Sequence, residues 1–226
     1  DLGDAVAPGF HRITIRVDNS IKYNVGKDAH SITGHTQTNW NGIVGRIEIR
    51  AQEPVHIESL RVRPRVADKS ADVSFTVVNA TPADVRGSFS IRPAAGSGTA
   101  DGDLGAIASG TRGERTARIS LGPDAKLWDE FSPELHEATV SISCNIGGNV
   151  FQDRKSAKFG LREMGVAGAQ IAVNGRPTFM RGNLECCIFP RTGYPDMNVD
   201  GWLRMFKIAR EYGLNHVRFH SWCPPE

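Results

Sequence analysis

His216, Arg218 and His220 set a guanidinium between two imidazoles, each two residues from the next. Side chains alternate along an extended strand, so these three share one face while Asn215, Val217 and Phe219 share the other. The apolar pair suits packing under a helix. The three donors suit an enclosed polar site, where the guanidinium needs an anionic partner because an unpaired interior charge costs several kcal/mol. An edge strand with its polar face in water is the alternative, and spacing alone leaves the two equal. Cys186, Cys187 and Cys223 add possible metal ligands. Four residues of strand, however, put the Cα atoms of His216 and His220 about 13 Å apart. A zinc ion holds its ligands at about 2–2.3 Å, so these two cannot share one, and no metal site is expected. A Cys/His nucleophile would need an oxyanion-hole donor and an orienting third residue, and the pattern supplies neither. Cys186 and Cys187 are adjacent, point to opposite faces and do not pair with each other; buried free thiols are the simpler reading.

The elements that position these residues are legible nearby. Asn174-Gly175 is a hairpin-turn dipeptide, because both central positions of that turn take positive φ. It predicts a hairpin between strands at 170–173 and 178–180, and a further strand is expected over 184–189. Trp202, Met205, Phe206, Ala209 and Tyr212 recur at helical spacing. Asn198 stands where a cap belongs, Asp196 and Asp200 flank the helix start, and Gly213 follows its end. A strand over 214–219 comes next. Strand, helix, strand is the unit from which parallel sheets are built.

Upstream the chain reads as β. Ile13, Ile15 and Val17 alternate with polar residues, and 43–49 gives a second strand. The polar stretch between them holds Asn39 and Trp40, which could meet a sugar; the plainer reading has Trp40 filling a core. From Pro54 to about Phe159, short strands are expected at 55–62, 73–78, 88–92, 115–121, 138–146 and 150–158, separated by turn signals. The segment 94–113 is rich in Gly, Ser, Thr and Ala and reads as an exposed connection, with 104–107 pairing briefly. Trp128 and Phe131 are expected to anchor the crossing before the last strands.

Three stretches together resemble glycoside hydrolase family 2, the family of β-galactosidases, β-glucuronidases and β-mannosidases. NGRPTFMRG (174–182), followed by Gly-Leu-Asn-His-Val-Arg (213–218) and Pro224, is similar to the start of the family's catalytic barrel. KLWDEFSPELHEATVSI (126–142) resembles the approach to the last strands of its immunoglobulin-like sandwich. NWNGIVGRIEI (39–49) resembles the end of its sugar-binding jelly roll. The resemblance implies a mostly β chain: an immunoglobulin-like β-sandwich flanked by a partial jelly roll and the start of a (β/α)8 barrel. The implied domains are 1–52, the C-terminal part of the jelly roll; 53–160, the sandwich; and 161–226, the beginning of the TIM-barrel catalytic domain.

Retaining hydrolysis needs two carboxyl groups about 5–5.5 Å apart. In the family both are glutamates from later barrel strands, so the resemblance implies an exo-acting hydrolase of a terminal β-linked sugar whose catalytic pair lies outside this chain. Neither Glu185 nor Glu226 falls in the catalytic motif. What carries over is a supporting residue, Arg218, which would steady the nucleophile's charge. Asn183, His220 and Trp222 carry over as substrate-binding positions. The chain departs from the family where Asn183-Leu184-Glu185-Cys186 follows Arg181-Gly182, and where Ser221-Trp222-Cys223 precedes proline. No cofactor is implied. The partners implied are a carbohydrate and a further chain or chain segment to complete the barrel, which the chain alone, expected to be inactive, would need.

The composition is consistent with this. A net charge of +2 points to neither nucleic acid nor an anionic membrane as partner. No apolar run approaches the roughly 20 residues of a membrane span. Four cysteines are too few for a disulfide scaffold at this length. A second reading, a non-catalytic β-sandwich module for carbohydrate or protein binding, leaves the strand–helix–strand unit unexplained.

Overall fold

A computed structural model describes residues 6, 7, 9–18, 20, 22–29, 33–35, 42, 43, 47–95, 98–186 and 188–220. The chain divides into two compact units, Ile49–Phe179 and Asp1–Glu48 with Met180–Glu226.

The first unit is a two-sheet sandwich with a small meander. Strands β1 (Val55–Arg65), β2 (Ser70–Asn79), β3 (Arg86–Pro93), β4 (Ala100–Asp103), β5 (Arg112–Ser120), β6 (His136–Ile146) and β7 (Asn149–Phe159) form sheets of order β1-β2-β5 and β4-β3-β6-β7, every pair antiparallel. Alternation places Val73, Phe75 and Val77 of β2 inside, facing Phe89 and Ile91 of β3 and Val140 and Ile142 of β6. Phe75 meets Phe89 edge to face with ring centroids 5.2 Å apart. Phe89 also lies against Gly102, where any Cβ would collide with its ring.

Two side chains stitch the edges of the sheets together. β1 bulges between Ile57 and Ser59. There the Asp153 carboxylate of β7 accepts the Ile57 N–H at 2.7 Å, and the Lys155 ammonium donates to the Glu58 carbonyl at 2.7 Å. Asn79 is fully buried and fully used. Its amide nitrogen donates to the carbonyls of Ala83, Ile107 and Ala108, and its oxygen accepts from the Thr81 N–H and hydroxyl.

The remaining strands of this unit form a meander: β8 (Met164–Ala167), β9 (Gln170–Val173) and β10 (Arg176–Pro177), antiparallel in the order β10-β9-β8. Asn174 and Gly175 link β9 to β10 with φ of 52° and 75°, the turn their types require. The Asn174 side chain reaches further, accepting from the Glu163 N–H and donating to the Trp128 carbonyl, both at 2.9 Å.

Several expectations are corrected. Among the described residues before Val55 there is no strand; Ile13, Ile15 and Val17 are about half exposed, and their alternation finds no sheet to bury it. The strand expected at 178–180 is not formed: β10 ends at Pro177, and beyond it the Thr178 N–H donates to the Ile171 carbonyl at 2.8 Å. The 94–113 segment is not simply exposed: it holds β4, the fully buried Leu104, and Ile107, which bridges Val85. Phe131 is 77% exposed and anchors nothing. Trp128 does anchor that crossing: its backbone N–H donates to the Leu161 carbonyl at 3.0 Å and the Arg162 guanidinium lies 4.3 Å over its ring. Trp40 and Asn39 lie outside the described residues.

The core contact gives one prediction. Phe75→Ala removes the ring from the middle of the sandwich and should cost about 3–5 kcal/mol, read as a fall in the denaturant midpoint with little change in slope. A second concerns pH. On the outer face of the β1-β2-β5 sheet, Arg112 grips Glu58 with two bonds of 2.8 and 2.9 Å, and Arg118 bonds Asp72 at 2.7 Å. These hydrogen bonds hold both carboxyls below their ordinary values of 4.5 and 3.8. A carboxyl with a lowered folded pKa stabilises the fold above its unfolded value, and that contribution fades as pH falls through the folded value. Urea midpoints measured downward from pH 4.5 should therefore fall less steeply in Glu58→Gln than in the natural chain. The difference should shrink at high salt, because both pairs are exposed.

Candidate functional site

The second unit contains strand β11 (Gly182–Glu185), helix α1 (Val199–Glu211) and strand β12 (His216–Phe219), with β11 and β12 paired in parallel. A parallel pair needs a crossover, and α1 is that crossover. Asp196, not Asn198, organises its start. The Asp196 carboxylate accepts the Asn198 N–H at 2.9 Å and its carbonyl accepts from the Trp202 indole at 2.8 Å, while Asn198 occupies the N-cap position without a side-chain cap bond. Gly213, with φ of 75°, closes the helix as expected. Three bonds then fix the strand starts: the Arg181 N–H donates to the Asn215 side-chain oxygen at 2.9 Å, the Arg181 guanidinium to the Gly213 carbonyl at 2.7 Å, and the Asn215 N–H to the Arg181 carbonyl at 2.9 Å. Asn215 thus ties the start of β12 to the start of β11. The part Arg181 plays had no signal in local sequence, because its partners lie more than thirty residues away.

Register sorts the side chains. Neighbours across a ladder share a face, so Gly182 stands beside His216 and Leu184 beside Arg218 on one side. Asn183 stands beside Val217, and Glu185 beside Phe219, on the other. The second face is the one α1 covers: the Trp202 ring meets Phe219 edge-on at 5.9 Å and lies 6.1 Å from Phe206. The helix does so with Trp202, Met205 and Ala209, half-buried, while Tyr212 is 82% exposed and takes no part. The His216 imidazole lies against Gly182, where a Cβ would strike the ring. His220 extends the ladder, its N–H donating to the Glu185 carbonyl at 2.9 Å, and so stands level with Cys186 at the carboxyl end of the pair.

Of the residues singled out by sequence, Arg218 and His220 come together on the face opposite the helix. Asn183 does not join them; it lies across the sheet from both. Trp222 lies outside the described residues. Cys144 is buried in the sandwich with its thiol pushed up by burial, and Cys186 is half-buried; both are free. In the other unit, a cleft of about 830 Å3 opens on the outer face of the β4-β3-β6-β7 sheet, over Ser88, Ser90, Ser141 and Ser143, with Gln152 and Arg154 on β7. No paired carboxylates converge there with a base or nucleophile, so it offers no catalytic constellation.

The fold is that of a sandwich followed by a strand–helix–strand unit. Residues 55–162 match the profile of Glycosyl hydrolases family 2. Among solved structures, it resembles a β-galacturonidase from Eisenbergiella tayi bound to galacturonate (16% identity, TM-score 0.68, 92% of this chain and 36% of that one). A second structure of that protein, bound to glycerol, matches with 16% identity and a TM-score of 0.60 over 76% and 29%. A β-glucuronidase from Bacteroides uniformis, covalently bound to cyclophellitol-6-carboxylate aziridine, matches with 20% identity and a TM-score of 0.65 over 93% and 26%. At such identities the likeness is one of fold. The chain spans about a third or less of the length of these relatives. No curated protein matches it significantly.

The Arg181–Asn215 clamp makes a local prediction. Asn215→Ala leaves the Arg181 N–H without its acceptor, at a cost of about 1–3 kcal/mol if it stays buried. Hydrogen exchange of amides in 182–185 and 216–219 should quicken roughly 5- to 100-fold, with amides of 70–79 unchanged.

Proposed function

We propose that this chain is part of a retaining, exo-acting glycoside hydrolase of family 2 that removes a terminal β-linked sugar, with the nucleophile and the acid/base supplied from outside these residues. In this reading the chain is organised as the end of a jelly roll (1–52), a sandwich (53–160) and the opening of a catalytic barrel (161–226), which a further chain segment completes. The observation that carries it is the parallel β11–α1–β12 unit with Arg218 and His220 on the face that the helix leaves uncovered. In a (β/α)8 enzyme the carboxyl ends of the strands form the active-site rim, and His220 stands at that end. Arg218 serves as a fixed positive charge below the nucleophilic carboxylate, favouring its ionised form. His220 and Trp222 hold the sugar. Asn183, the third residue that the resemblance gives as substrate-binding, stands on the helix-covered face beside Val217.

The glycone is read as a uronic acid, because the solved relatives named above are a galacturonidase and a glucuronidase. A panel of nitrophenyl β-glycosides, with glucuronide and galacturonide among them, tests this on the chain and on a longer polypeptide containing it. Hydrolysis by the longer form alone is the expected result. Arg218→Ala in that form should lower kcat on the order of 10²-fold. Sugar binding by this chain combined with an inactive longer form would instead favour a non-catalytic carbohydrate-binding module.

A further inference from the structure

The connection between β11 and α1 encloses a cleft of about 550 Å3, lined by Ile188, Phe189, Arg191, Tyr194, Asp196 and Met197. Its volume falls within the usual range of small-molecule sites, roughly 300–1,000 Å3. The loop is braced by its own hydrogen bonds. The Gly193 N–H donates to the Phe189 carbonyl at 2.7 Å and the Thr192 hydroxyl to the Tyr194 carbonyl at 2.6 Å. Asp196 binds the loop to the helix through Asn198 and the Trp202 indole. Pro190 and the buried Pro195 restrict it further. Such bracing lowers the ordering cost of binding. It also holds Ile188 and Tyr194 about half exposed, at 57% and 47%, an apolar cost that the fold itself does not recover.

We infer that this cleft is a subsite for the second sugar of the substrate, the unit on the leaving-group side of the bond that is cut. The assignment rests on the glycosidase reading and adds to it. The connection leaves β11 at the carboxyl end of the parallel pair, the end where His220 stands, and runs outward to the helix. In an exo-acting enzyme the terminal sugar fills the closed inner position, so the next unit meets the surrounding loops. The lining fits a pyranose. Phe189 and Tyr194 offer aromatic surface to the ring's C–H face, and Arg191 can donate two parallel hydrogen bonds to vicinal hydroxyls or a carboxylate. An apolar peptide would leave the guanidinium desolvated without partners.

The test compares two substrates of one glycone in the longer polypeptide: the β-glycosyl fluoride, which carries no second ring, and a β-linked disaccharide. Tyr194→Ala and Arg191→Ala, both at exposed loop positions, should each raise KM for the disaccharide at least about 5-fold and leave the fluoride within about twofold. Tyr194→Phe, which keeps the ring, should restore most of the loss. If both variants treat the two substrates alike, the subsite assignment is overturned while the glycosidase reading stands. If no glycoside is hydrolysed by any form, the glycosidase reading fails and takes this assignment with it.

Discussion

The spacing of the two sheets, set where Phe75 of β2 meets Phe89 of β3 edge to face at 5.2 Å, constrains everything else in the Ile49–Phe179 unit. Each sheet has one face dominated by apolar side chains, and pressing the two together removes both from solvent. Phe75 and Phe89 bridge that gap. The strand that flanks Phe89 must then give way, which is why Gly102 is a glycine: the ring occupies the space of its missing side chain. The sheet edges, where apolar contact thins out, are held by polar ties instead. Asp153 reaches across to the bulge in β1, and Asn79 collects three carbonyls of the turns at the other end. A buried amide such as that of Asn79 costs stability unless fully bonded, and here it is fully bonded.

The parallel pair in the second unit obeys a different rule. Two strands 182–185 and 216–219 cannot form a layer alone, and the helix between them buries only one face, through Trp202 on Phe219. The other face carries His216, Arg218 and His220. A strand that puts two imidazoles and a guanidinium on one side is poor material for packing and good material for holding an anion or a sugar. The sandwich, by contrast, spends its inward residues on apolar contact and its outward ones on exposed ion pairs, such as Arg112 with Glu58, that are individually weak. Apolar packing and the clustering of polar donors are therefore concentrated in separate parts of the chain.

Much of this was legible in the residues because the signals were local. Alternation in Val73, Phe75 and Val77, and again in Val140, Ile142 and Cys144, marks strands that the structure extends by a few residues at their ends. Where alternation had no partner, it misled. Ile13, Ile15 and Val17 have the pattern of a strand, yet they remain about half exposed and unpaired, because a strand is stabilised by the ladder beside it and not by its own sequence. The reverse error hid β4. Its sequence, Ala-Asp-Gly-Asp, has almost no β preference, and it is a strand only because β3 offers an edge and Phe89 needs a glycine opposite.

The candidate site divides along the same line. Local sequence alone determined the Asn174-Gly175 turn, the extent of helix α1 and the sharing of one strand face by Arg218 and His220, since each follows from backbone geometry over a few residues. Which residues of β11 stand beside them depended on a pairing between segments some thirty residues apart, and the chain between them contains no instruction about register. The ladder set Leu184 beside Arg218 and sent Asn183 to the helix side, because the Arg181–Asn215 clamp fixes where the two strands begin and the pleat then alternates from that point.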